Sequence, residues 1–150
     1  CFLNLPMETL REIAVGSLRG GRMFYFSCDT THDALPDAGI YDTVLYDVES
    51  LLGIPFGMSR EELFRSNETR SVHAMAMAGV ALDNAGHPAK WVAENSFGAD
   101  CGTDGYVTLS DEWFARYLFR MVVERRFLQD SLQDCLSRKP VRIPAWNPNY

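Results

Sequence analysis

Apolar residues recur along this chain at two periods, and the switches between them predict its elements. Leu10, Ile13, Ala14 and Leu18 repeat at helical spacing. Pro6 suits the first turn of that helix, and Gly20-Gly21 supply a left-handed stop after it. Residues 23–28 are a short apolar and aromatic run and predict a strand. Residues 29–43 show no clear period, contain Pro36 and Gly39, and predict a surface loop. Ser59-Arg60-Glu61-Glu62 is a capping box ahead of Leu63 and Phe64, which predicts a short helix. The small, apolar run 72–82 predicts a buried strand, Asp83-Asn84-Ala85-Gly86 has turn chemistry, and 90–94 predicts the returning strand of a hairpin. Gly and polar residues make 96–105 a loop, and 106–109 reads as another strand. Asp111 and Glu112 favour a helix start, continuing through Leu118. Residues 120–127 suit a strand, 128–136 a last short helix, and 140–150, with three prolines, an extended tail. The sum is an α+β fold: an antiparallel sheet with helices packed beside it, in one domain spanning 1–150.

Composition narrows the function classes. The chain is 47% hydrophobic and 23% charged, as a folded domain requires. Twenty acidic against fourteen basic residues give a formal charge of −6, with no basic cluster, so charge does not support a nucleic-acid partner. No run approaches the ~18 apolar residues that a membrane span needs. The four cysteines, Cys1, Cys28, Cys101 and Cys135, match no zinc spacing. Cys28 and His32 form a lone C-x3-H pair, read as structural.

Three histidines are present. His87 lies in a turn and His32 in a loop, and both read as surface residues. His73 opens the apolar strand, and the returning strand ends at Asn95, 22 positions later. If the hairpin forms, those two strand ends lie side by side. An amide oxygen that accepts from one ring N–H fixes the imidazole's tautomer and direction and leaves the other nitrogen for a nucleophile. Unlike a carboxylate it adds no negative charge, which suits a thiolate–imidazolium pair.

His-Ala on one strand and Asn-Ser-aromatic-Gly on the next, followed by a Gly-rich loop and Gly-Tyr, resemble the C-terminal half of the papain-like cysteine peptidases. Phe26-Ser27-Cys28-Asp29, Glu94-Asn95-Ser96, Thr108-Leu109-Ser110-Asp111-Glu112-Trp113-Phe114 and Pro144-Ala145-Trp146-Asn147-Pro148 resemble the bleomycin hydrolase and aminopeptidase C branch. The resemblance covers nearly the whole chain. It implies a papain-like fold of which this chain is the barrel-like sheet half. It also implies His73 as catalytic acid/base, Asn95 as its orienting partner, and Phe97, where tryptophan is usual, as the screen over their hydrogen bond. Ala74 lines a substrate side-chain pocket or simply packs. No cofactor is implied.

The same resemblance marks what this stretch lacks. The family nucleophile is a Cys followed by Trp and preceded by an oxyanion-hole Gln, and no such stretch occurs; Gln129 and Gln133 are the only glutamines. An N-terminal portion or companion chain is expected to supply both groups, and the isolated chain to be inactive. Cys28 falls in the family's strand motif, and Cys1 reads as a cleavage boundary or, alternatively, an N-terminal nucleophile. The branch's C-terminal carboxylate meets the substrate's amine and makes an aminopeptidase; here that group belongs to Tyr150, in a shorter tail. Peptide substrates, a hexameric homo-oligomer and a cytoplasmic setting follow by resemblance. A non-catalytic, structural or binding papain-like part is the alternative, and a metal-binding module a third.

Overall fold

The computed structural model describes residues 2–55 and 57–146. In chain order it contains α1 (Met7–Arg19), β1 (Phe24–Cys28), β2 (Ala34–Leu35), β3 (Ile40–Tyr41), α2 (Val48–Leu52) and α3 (Arg60–Ser66). There follow β4 (His73–Leu82), β5 (Pro88–Glu94), β6 (Tyr106–Ser110), α4 (Asp111–Tyr117), β7 (Leu118–Val122) and α5 (Asp130–Cys135). The strands form one curled, seven-stranded sheet in the order β2-β3-β6-β5-β4-β1-β7. Among the described residues β3 pairs with β6 in parallel and the other neighbours pair antiparallel. The α+β class expected from the sequence is therefore the observed one.

Alternation along the strands decides which face is covered. Phe24 and Phe26 of β1, Met75 and Met77 of β4, Trp91 and Ala93 of β5, and Val107 and Leu109 of β6 are buried on one face. Helix α1 brings Ile13 and Ala14 to that core, and α4 brings Trp113 and Phe114. The Trp91 and Phe114 rings lie 4.6 Å apart between centroids. In β4 both faces carry apolar residues, so the sequence hides the alternation: the methionines point inward, and the small Ala74 and Ala76 point the other way.

Burying an indole requires an acceptor for its N–H. Trp91 is fully buried and donates to Asp111 Oδ1 at 3.0 Å. Asp111, the first residue of α4, also meets Arg11 of α1, with Arg11 Nη2 at 2.6 Å from Oδ2. One carboxylate thereby ties α1, β5 and α4 together. The capping box at Ser59 and Glu62 forms as expected at the start of α3.

Two expectations are corrected. Residues 29–43 are not a plain loop: they hold β2, β3 and a 3-10 turn at Pro36–Ala38. Strands of two residues are too short for a period to register, and they are held from outside, by the Thr108 N–H donating to Gly39 O at 2.7 Å. Gly39 (φ 67°) is required there, since a Cβ on it would lie 2.6 Å from the Cα of Gly102. The strand expected over 120–127 begins earlier, at Leu118, directly after α4, and stops at Val122; a 3-10 turn, Arg125–Phe127, follows. The short helix α2, capped by Asp47, is too brief to show a helical period in the sequence. No helix among the described residues is long and apolar enough to cross a membrane.

Because Asp111 satisfies a buried indole and a guanidinium at once, Asp111→Ala should lower unfolding free energy by about 2–3 kcal/mol in urea titration. Glu8→Ala, which removes only the exposed partner of Arg11, should change it by less than about 0.5 kcal/mol.

Candidate active site

His73 is the first residue of β4 and stands directly opposite Cys28, the last residue of β1. Across the hairpin Ala76 faces Glu94, so the residue after β5, Asn95, comes back to the His73 end. The Asn95 backbone N–H is fixed by Gly105 O at 2.9 Å. The side chains then meet, with His73 Nε2 and Asn95 Oδ1 2.8 Å apart.

The tautomer follows from the neighbours. The Ser96 backbone N–H reaches the same Asn95 atom at 2.8 Å. A backbone N–H can only donate, so that atom is the amide oxygen, and His73 Nε2 must carry the hydrogen it shares with it. In the neutral ring the lone pair is therefore on Nδ1, which has no hydrogen-bond partner among the described residues. Asn95 is 7% exposed, and its Nδ2 is buried with no partner among them. The Phe97 ring leans over the imidazole, 5.0 Å between centroids at 32°, while remaining 62% exposed on its outer side.

Beside this pair lies an open depression of about 610 Å³. Ala74 and Ala76 are in its lining, as are Met23, Tyr25, Glu94 and Asn95. Register places Tyr25, Ala76, Glu94 and Tyr106 in one row across the sheet, so Ala76 and Glu94 stand between two exposed tyrosines. Ala74 is half-buried and faces this depression.

The three described thiols, Cys28, Cys101 and Cys135, do not supply a partner for Nδ1. Cys28 is fully buried; burial, and then the charge of Asp29, pushes its thiol up to about 12. A thiol so shifted is almost wholly protonated near neutrality. Cys101 donates to Pro36 O and Cys135 to Ser131 O. His32 lies parallel to the Tyr117 ring, 5.5 Å between centroids, so Cys28 and His32 serve different surroundings. Among the described residues no three His, Cys, Asp or Glu side chains gather as a metal-binding group. Cys1 and Tyr150 lie outside the described residues.

One residue next to the site carried no role in the sequence reading. Asp29 is 1% exposed and its carboxylate accepts four hydrogen bonds. Burial works against its charge, but donors from Thr31, Arg70 and Thr69 outweigh it and hold the carboxyl below its ordinary range. The signal available in the sequence was only its place after Cys28 in a strand motif.

Known proteins are similar to this chain over nearly its whole length. Residues 1–149 match the Peptidase C1-like family. The chain is 34% identical to aminopeptidase C of Lactococcus lactis subsp. cremoris, covering 97% of this chain and 34% of that protein. It is 32% identical to bleomycin hydrolase of Homo sapiens, over 98% of this chain and 33% of that protein. The crystal structure of PepW from Lactobacillus rhamnosis superposes with a TM-score of 0.94 at 33% identity, covering 97% of this chain and 33% of that one. The chain thus spans about a third of the length of the relatives it matches.

Burial makes a prediction for the thiols. Iodoacetamide at pH 8, followed by peptide mass mapping, should modify Cys28 at least about a hundredfold more slowly than Cys101 and Cys135. Comparable rates would contradict the buried, protonated state of Cys28.

Proposed function

The chain belongs to the Peptidase C1-like family, and on that premise we propose that it supplies the histidine and asparagine of a thiol-dependent peptidase. The observation that carries the proposal is the His73 Nε2–Asn95 Oδ1 contact at 2.8 Å, with no hydrogen-bond partner on Nδ1 among the described residues. That is the arrangement a general base requires: one nitrogen occupied by an orienting acceptor, the other facing outward.

The nucleophilic thiol and the oxyanion-hole glutamine come from a segment outside this chain. The exposed face of the sheet supports such a neighbour, since Tyr25, Val92, Tyr106 and Val122 are all exposed there. His73 takes the proton of that thiol, leaving a thiolate–imidazolium pair. The thiolate attacks the peptide carbonyl carbon, and the C–N bond breaks as His73 gives its proton to the leaving amine. Water then cleaves the acyl thioester, with His73 accepting its proton and returning it to the thiol. Asn95 keeps Nε2–H aimed away from the reacting atoms throughout, and Phe97 shields that hydrogen bond from water. Ala74 forms the wall on which a substrate side chain rests.

Relatives named aminopeptidase C and bleomycin hydrolase support peptides with a free N-terminus as substrates. A homo-oligomer belongs to the same reading. A second reading, a non-catalytic papain-like part, is favoured by one observation: Phe97 leaves more than half of its surface to solvent.

Activity separates the two. In the full-length protein, His73→Ala should lower kcat for aminoacyl-amide hydrolysis by about a thousandfold, and labelling of its nucleophilic thiol by an epoxide should slow in parallel. Asn95→Ala should cost about ten- to a hundredfold in kcat. Unchanged thiol reactivity in His73→Ala would remove the catalytic assignment and leave the non-catalytic reading.

A further inference from the structure

We propose that Asp29 is the positioning residue for His73: its buried carboxylate clamps the chain leading into β4, so that the first residue of that strand is held as firmly as an interior one. The activity arm of this inference rests on the function proposed above; the structural arm does not.

The problem that Asp29 solves is visible in the ladder. His73 opens β4 and Cys28 closes β1, so the two strands stop together. The Val72 N–H donating to Cys28 O at 3.1 Å is the last backbone bond in that direction. A strand end ordinarily frays, yet an imidazole that must meet a thiol from another segment tolerates little displacement.

Asp29 continues the clamp where the ladder ends. Its Oδ2 accepts the Arg70 N–H at 2.9 Å and the Thr69 hydroxyl at 3.0 Å, three and four residues before His73. Its Oδ1 accepts the Thr31 N–H at 2.9 Å and the Thr31 hydroxyl at 2.6 Å. Its own N–H donates to Tyr117 O at 3.1 Å, at the end of α4. The end of β1, the lead-in to β4 and the end of α4 are thereby joined at one side chain. The residue type is dictated by the donors. Four N–H and O–H groups converge on two oxygens, and a carboxylate presents only acceptors. An amide would turn an NH2 toward at least one pair of them. Thr69 is itself 1% exposed, so its hydroxyl has no recourse to water. His32 Nε2 stands 3.7 Å from Asp29 Oδ2 but makes its hydrogen bond to Glu68 O, so the four donors define the site.

The test compares Asp29→Asn with Asp111→Asn, which weakens a different, partly buried carboxylate distant in sequence. Both are made in the full-length protein with nitrogen-15-labelled histidine. Two readouts are taken: the Nε2–H resonance of His73, assigned by its loss in His73→Ala, and kcat with KM for an aminoacyl amide. Asp29→Asn should broaden the His73 resonance beyond detection and lower kcat by ~10-fold or more, with KM within about twofold. Asp111→Asn should lower the denaturation midpoint yet leave both readouts in place. Thr69→Val, which removes one donor at nearly constant shape, should give an intermediate loss of about threefold in kcat. The proposal is overturned if Asp29→Asn folds with an unchanged His73 resonance and kcat. It is overturned equally if Asp111→Asn reproduces both losses. Should Asp29→Asn fail to fold, Thr69→Val decides by the same criteria. Absence of any peptidase activity in the parent protein would sink the proposed function, while the His73 resonance would still decide the role of Asp29.

Discussion

The structure depends on how one buried indole is satisfied. Trp91 lies under the sheet where no water reaches, and its N–H must find an acceptor inside. Asp111 provides it, and its partly buried charge draws Arg11 from α1. From that single requirement follow the seating of α1 and the start of α4 against the middle of the sheet. The aromatic packing of Trp91, Phe114, Trp113 and Tyr41 closes around it.

With the sheet held in that way, the hairpin of β4 and β5 becomes a rigid ruler. His73 and Asn95 are separated by 22 positions but occupy neighbouring ends, so their contact needs no flexible loop to find it. The Ser96 N–H fixes the amide and the amide fixes the ring. Orientation therefore passes from backbone to imidazole through two hydrogen bonds, each with an unambiguous donor. The residues with proposed roles lie where the regular elements end, and there the ladder gives way to side-chain contacts: Asn95 after β5, Asp29 after β1.

The sequence reading and the structure diverge where contacts are non-local. The long elements were legible because their patterns are local: α1 repeats at helical spacing, and the Ser59–Glu62 capping box announces α3. Strands β2 and β3 were not, because two residues carry no period and their pairing depends on Gly39 meeting Gly102 across more than sixty positions. The clamping role of Asp29 was not legible for the same reason. Its partners at Thr69 and Arg70 are some forty residues away, and nothing in the spacing announces a carboxylate with four donors.

By itself the sequence determined the hairpin and the pair at its ends, because an apolar run, turn chemistry and a returning strand are consequences of local order. It also determined that the chain carries His73 and Asn95 with no family-like nucleophile motif beside them. Only the tertiary structure decided which nitrogen of His73 bears the hydrogen, since that rests on a backbone N–H one residue beyond Asn95. It decided as well that Cys28, directly opposite His73, is a buried core thiol: burial, which the packed sheet alone creates, is what raises its pKa.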